Sequence, residues 1–151
     1  MPKLNRIRTL LLINNRINKV EKDFAMNCPY LENIILTNNK VSSLTEIDNL
    51  ATCKSLVRLS LVDNLVTKIK YYRLYVIYKL PNLRVLDFQK VKLKEKMAAQ
   101  KLFEGPKGKE LIEDMILKKF KGGSEDQDES SLLQNTLKDE NKKKMILVYL
   151  L

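Results

Sequence analysis

Three asparagines, Asn15, Asn39 and Asn64, stand 24 and 25 residues apart, each closing the same apolar frame, L-x-x-L-x-L-x-x-N-x-I/V. A carboxamide both donates and accepts, so an asparagine at a fixed point of a repeated coil can bond backbone groups of its own and of a neighbouring coil. That chemistry is structural. A second set is cationic: Lys90, Lys92, Lys94 and Lys96 alternate along one stretch, with Arg84 shortly before them. Such a row can hold phosphates, but it lacks the stacking platform and base-edge donors that sequence readout requires. A third set, Tyr71, Tyr72, Tyr75 and Tyr78 beside Arg73 and Lys79, could stack bases. At helical spacing, Tyr71, Tyr75 and Tyr78 more simply pack one helix face onto a sheet, with their hydroxyls reaching solvent.

The residues that are missing exclude more. The 151-residue chain has no His and no Trp, which removes Ser/His/Asp triads, Cys/His nucleophiles and every His-ligated zinc or haem site. No glycine-rich phosphate loop, cleft carboxylate pair or activated nucleophile can be pointed to. The expectation is a protein that is not an enzyme and has no cofactor, no metal and no small-molecule substrate. Cys28 and Cys53 each lie three residues before the first leucine of their repeat, the slot that Leu80 fills in a fourth stretch. They read as small buried hydrophobes, and the repeat period explains their separation. Two cysteines and no signal-peptide pattern suggest a reducing, intracellular compartment. The longest apolar run, MILVYLL at 145–151, is too short to span a bilayer, so no membrane partner is expected.

The elements that must position these residues follow from the repeat. Ile7, Leu10, Leu12, Asn15 and Ile17 form one copy, Leu31, Ile34, Leu36, Asn39 and Val41 the second, and Leu56, Leu59, Leu61, Asn64 and Val66 the third. Each L-x-L is a short strand whose leucines point into a shared core; no copy could bury them alone, so copies stack into one parallel sheet. Leu83, Leu86, Phe88, Val91 and Leu93 keep the apolar spacing but put Val where Asn belongs, as a closing repeat would. Between strands, stretches such as EIDNLATCKSL carry Ile47, Leu50 and Leu56 and predict short helices or 3₁₀ turns on the convex side. After Lys94, Met97, Leu102 and Phe103 make one helical stripe; Gly105-Pro106 breaks it, and Leu111, Ile112, Met115 and Ile116 resume it. The fold class is therefore α/β: a leucine-rich-repeat solenoid with a parallel sheet on its concave side, short helices or turns on its convex side and a helical C-terminal cap. Its expected organisation is repeats with their cap over 1–95, a helical extension over 96–121, and a flexible acidic linker and tail over 122–151, which opens GGSEDQDESS.

The net charge of +10 is unevenly spread. Residues 66–121 carry 15 basic and 6 acidic side chains, nearly the whole excess, and make the cap the best site for a polyanion. A solvated lysine face would explain the same run. On the concave side the exposed positions alternate with the buried leucines: Thr9, Leu11 and Ile13, then Asn33, Ile35 and Thr37, then Arg58, Ser60 and Val62, then Asp87 and Gln89. Leu11, Ile13, Ile35 and Val62 would be needlessly apolar on a solvated face, and such a strip suits an amphipathic helix of a partner.

Residues 71–95, YYRLYVIYKLPNLRVLDFQKVKLKE, resemble the cap of the U2 snRNP A-prime family of leucine-rich-repeat proteins. Many leucine-rich-repeat proteins share Y-R-x-x-V-I-x-x-L-P-x-L-x-x-L-D, but FQKVKLKE followed by KLFEGPKGKELIEDM is particular to that family, and TLLLINNRI and ILTNN agree with it. The resemblance covers residues 1 to about 120. It implies a nuclear, spliceosomal scaffold without catalysis, which binds the RRM protein B-double-prime and strengthens its grip on a stem-loop of U2 snRNA, the RNA being reached mainly through that partner. Family members begin with an N-terminal cap and further repeats, whereas Met1-Pro2-Lys3-Leu4 already sits inside a repeat; the chain reads as truncated there, with the first coil's core edge expected to stand uncovered. Two other readings stay open, a regulatory or adaptor subunit of an enzyme such as a phosphatase or of a cytoskeletal complex, and a direct RNA binder.

Overall fold

Leu10, Ile34, Leu59 and Leu86 are aligned as Cα partners across neighbouring strands and are each 3% exposed or less. In the computed structural model, which describes residues 3–118, they form the central row of a core built one coil at a time. The strands are β1 (Thr9–Leu11), β2 (Asn33–Ile35), β3 (Arg58–Ser60) and β4 (Val85–Leu86), parallel and in chain order, with β5 (Gln89–Lys90) antiparallel on the far edge. Leu31, Leu56 and Leu83 wall the core before the strands, Leu36 and Leu61 after them, and all are buried. Burying a leucine contributes about 1.5–3 kcal/mol, so each coil gains most of its stability from the coil stacked upon it.

Two backbone devices recur, each in three of the four coils. Asn14, Asn38 and Asp63 turn the chain off the strand with φ of 59°, 56° and 59°, a left-handed conformation that Asn and Asp tolerate best among residues with a Cβ. The residue after each turn is a repeat asparagine. Before the strands, the N–H groups of Leu31, Leu56 and Leu83 bond the carbonyls of Cys28, Cys53 and Leu80, one slot in three coils. All three slot residues are buried. The convex side carries α1 (Phe24–Asn27), α2 (Leu44–Leu50), a 3₁₀ turn (Leu65–Lys68) and α3 (Tyr72–Lys79). Ser43 caps α2, its hydroxyl accepting the Thr45 N–H at 3.2 Å.

The fourth stretch departs from the repeat after Leu86. Asp87 and Phe88 both take positive φ, 52° and 63°, and make the two-residue turn of a tight hairpin that sends β5 back along β4. Phe88 and Leu93, expected in the core, are instead 66% and 72% exposed. The cause is Asp87, whose carboxylate accepts the Leu61 N–H at 2.7 Å and the Tyr72 hydroxyl at 2.9 Å, so the chain reverses where earlier coils continue. Arg73 secures the hairpin from α3, donating to the Leu86 carbonyl at 3.0 Å, the Lys90 carbonyl at 3.3 Å and the Glu95 carboxylate at 2.6 Å.

Two helices, α4 (Leu93–Glu104) and α5 (Gly108–Lys118), pack over the last coil. Phe103 meets Tyr75 edge to face at 5.7 Å and Tyr78 at 5.3 Å. The expected stripe of α4 needs a correction: Met97 is 63% exposed, and the fully buried residue is Ala99, small enough for close approach to α3. Gly108 is buried where α5 turns against α4; a Cβ there would lie 1.9 Å from the Phe103 carbonyl oxygen. Gly108→Ala should therefore shift α5 bodily and lower the melting temperature by several degrees, because backbone cannot yield as a side chain can. Thermal circular dichroism checks it; an unchanged midpoint would mean α5 contributes little to the fold. At the opposite end the core is open, with a hollow of about 360 Å³ bordered by Leu4, Leu12, Ile17 and Phe24. Residues 119–151, with the end of the expected helical extension, the acidic linker and the apolar tail, lie outside the described residues.

Candidate functional site

Leu11 and Ile35 lie side by side on the concave face, as Cα partners of β1 and β2, and both are half-buried. Beyond the strand ends the ladder runs on: the Leu12 N–H bonds the Ile35 carbonyl and the Asn38 N–H the Val62 carbonyl, both at 2.9 Å. This continuation sets Ile13, Thr37 and Val62 as a half-buried row beside the first. Asn33 and Arg58 lie at the strand starts, Asn33 half-buried and Arg58 exposed. The alternation that puts leucines inside thus leaves aliphatic side chains on the outer face with no core to fill.

Four of the expected concave positions differ. Thr9 and Ser60 are buried, 8% and 1% exposed, within hydrogen bonds of the sheet itself. Asn33 Nδ2 donates to the Thr9 hydroxyl at 2.9 Å, and the Thr37 and Ser60 hydroxyls are 3.0 Å apart. Asp87 is committed to Leu61 and Tyr72, and Gln89 lies past the hairpin turn, exposed on β5. The residue that sequence reasoning omitted is Val85, the Cα partner of Arg58. Counting back one position from Leu86, as from Leu10 to Thr9, would have found it.

The asparagines divide. Asn39 and Asn64 are buried and bridge coils: Asn39 Nδ2 lies 2.7 Å from the Leu12 carbonyl, and its Oδ1 accepts the Ile17 N–H at 3.0 Å. Asn64 repeats this one coil on, toward the Leu36 carbonyl at 2.8 Å and the Val41 N–H at 3.0 Å. Asn15 bonds the Ile13 carbonyl of its own turn at 3.0 Å. A second bridge was missed. Asn38 Nδ2 donates to Asn14 Oδ1 at 2.8 Å, and the doubled NN of coils one and two was its signal.

Among the cations, Arg84 and Lys90 are exposed and Lys96 is partly covered, its Nζ donating to the Pro81 carbonyl at 3.2 Å. These three line one hollow of about 690 Å³ together with Arg58, whereas Lys92 and Lys94 are exposed and do not line it. The tyrosine cluster packs only in part: Tyr78 is half-buried against Phe103, whereas Tyr71, expected on the packing face, is 38% exposed with Lys70 Nζ 5.1 Å from its ring centroid. Tyr72 and Tyr75 are buried; the Tyr75 hydroxyl, expected in solvent, donates to Asp48 at 2.6 Å, and the Tyr72 hydroxyl donates to Asp87 at 2.9 Å. Burial, then the carboxylate beside each, pushes both phenols upward. The Arg73 hydrogen bond holds the Glu95 carboxyl below its usual range, against a smaller opposing effect of burial. Burial pushes the Cys28 and Cys53 thiols up, opposite to what a reactive thiolate needs. Among the described residues no group of His, Cys, Asp and Glu could hold a metal ion, and no helix is long and apolar enough to cross a membrane.

A sequence model of the leucine-rich repeat family matches residues 1–116. The U2 small nuclear ribonucleoprotein A' of Homo sapiens is 51% identical over 114 residues, 76% of this chain and 45% of that protein. The Arabidopsis thaliana U2 small nuclear ribonucleoprotein A' is 48% identical over 111 residues, 74% of this chain and 45% of that protein. This chain thus spans less than half the length of the curated relatives it matches. Among solved structures, the Drosophila melanogaster SNF/U2A' complex contains a chain that superposes with a TM-score of 0.72 at 39% identity, covering 76% of this chain and 66% of that one. Stacked coils in register, inward leucines, bridging asparagines and these likenesses agree: the chain belongs to the leucine-rich-repeat family and, within it, is a homologue of the U2 small nuclear ribonucleoprotein A' proteins.

Proposed function

We propose that this chain is a non-catalytic scaffold of the U2 snRNP, whose concave face binds the RRM protein B-double-prime and so supports that partner's hold on U2 snRNA during pre-mRNA splicing in the nucleus. The observation that carries the reading is the set of Leu11, Ile13, Ile35 and Val62, half-buried on an outer face with Thr37 between Ile13 and Val62 and with Asn33 and Arg58 along the strand-start rim. A surface of that kind is what the apolar stripe of a partner helix covers, while polar rim groups set its register. That a similar chain was solved as an SNF/U2A' complex supports a protein partner for this one. Basic side chains near the cap then touch phosphates and leave sequence readout to the partner. Titration calorimetry of the purified chain with purified B-double-prime tests the reading: a one-to-one complex is expected, and no heat of binding at micromolar concentrations overturns it.

A further inference from the structure

We propose that the hollow at the strand-start margin of the concave face is a binding site for the RNA phosphodiester backbone, formed by Arg58, Arg84, Lys90 and Lys96. The four come from different elements: Arg58 opens β3, Arg84 precedes β4, Lys90 lies in β5 and Lys96 in α4. Only the β4–β5 hairpin brings the last two back beside the first two. The one acidic lining residue, Glu32, is already paired with Arg8 at 3.4 Å, and among the described residues none of the four cations is paired with a carboxylate. Four like charges converging on one concavity of about 690 Å³ repel each other, and a polyanion lying in it relieves that repulsion.

The lining contains no aromatic residue, so nothing in it stacks a base. Its donors suit phosphate oxygens alone, and binding is sequence-independent. That the polyanion is RNA and not an acidic protein segment rests on the proposed function: the hollow shares Asn33 and Arg58 with the rim of the aliphatic strip, so RNA held by an RRM partner seated there passes over it. The site also differs from the simple lysine row, because Lys92 and Lys94 stand outside it.

The test uses the purified chain without any protein partner, so its failure is distinct from failure of the pairing with B-double-prime. Fluorescence anisotropy of a labelled mixed-sequence RNA stem-loop is measured across a salt series for the wild type, Arg58→Ala with Arg84→Ala, and Lys92→Ala with Lys94→Ala. The two variants lose the same charge, and circular dichroism confirms their folding; Arg84→Ala alone serves if the first pair does not fold. The expected result is at least a tenfold loss of affinity in the hollow variant, a salt slope smaller by about 1.5–2, and less than a threefold change in the lysine variant. Equal losses in the two variants would show diffuse attraction and overturn the site. So would unchanged RNA binding by the hollow variant, and if the same variant then lost pairing with B-double-prime, the hollow would take an acidic protein segment instead.

Discussion

Replacing Ile35 and Val62 together by aspartate is expected to abolish pairing with B-double-prime while leaving the far-ultraviolet circular dichroism spectrum unchanged. Both side chains are half-buried on the outer face, Ile35 in β2 beside Leu11 and Val62 in the next row beyond β3, and neither belongs to the central row of the core. Central apolar contacts in an interface commonly cost 2 kcal/mol or more each when lost. Two carboxylates trapped against a partner's apolar stripe add a desolvation cost. A combined loss of about 4 kcal/mol is roughly a thousandfold in affinity, enough to remove a micromolar complex from calorimetric view. Ile35→Ala with Val62→Ala should give a milder loss of the same sign. A folded aspartate double variant that still pairs would place the binding surface elsewhere.

Asn39→Ala is expected to be the most destabilising of the asparagine substitutions outside the third coil. Its carboxamide nitrogen lies 2.7, 2.9 and 3.3 Å from the carbonyls of Leu12, Leu36 and Thr37, and its oxygen accepts the Ile17 N–H. At 4% exposure, alanine admits little water to replace these partners. Each buried group left unsatisfied costs about 1–3 kcal/mol, so the total is on the order of 3 kcal/mol and the melting temperature falls by on the order of 10 °C. Asn15→Ala, which removes one bond within its own turn, should cost below about 1 kcal/mol. Thermal denaturation of the two variants side by side decides the matter. Equal shifts would mean that the asparagine does not tie coil to coil.

The repeat period, the inward row of Leu10, Ile34 and Leu59, and the short convex elements were legible from residue types because they follow from local periodicity and from the need of each coil to bury its leucines against the next. The concave strip followed from the same alternation. What the sequence alone determined is therefore the solenoid and the face that carries its aliphatic residues. What only the tertiary structure decided lies where one residue's partner is far along the chain. Asp87 reads as one more surface position until Leu61 and Tyr72 are seen to bond its carboxylate and turn the chain into a hairpin, exposing Phe88 and Leu93. The row of lysines reads as one site until that hairpin sets Lys90 and Lys96 with Arg58 and Arg84 around one hollow, without Lys92 and Lys94. Periodicity reports which side of an element faces the core; it carries no information about which distant segments a turn brings together, because that depends on hydrogen bonds formed only once the coils are stacked.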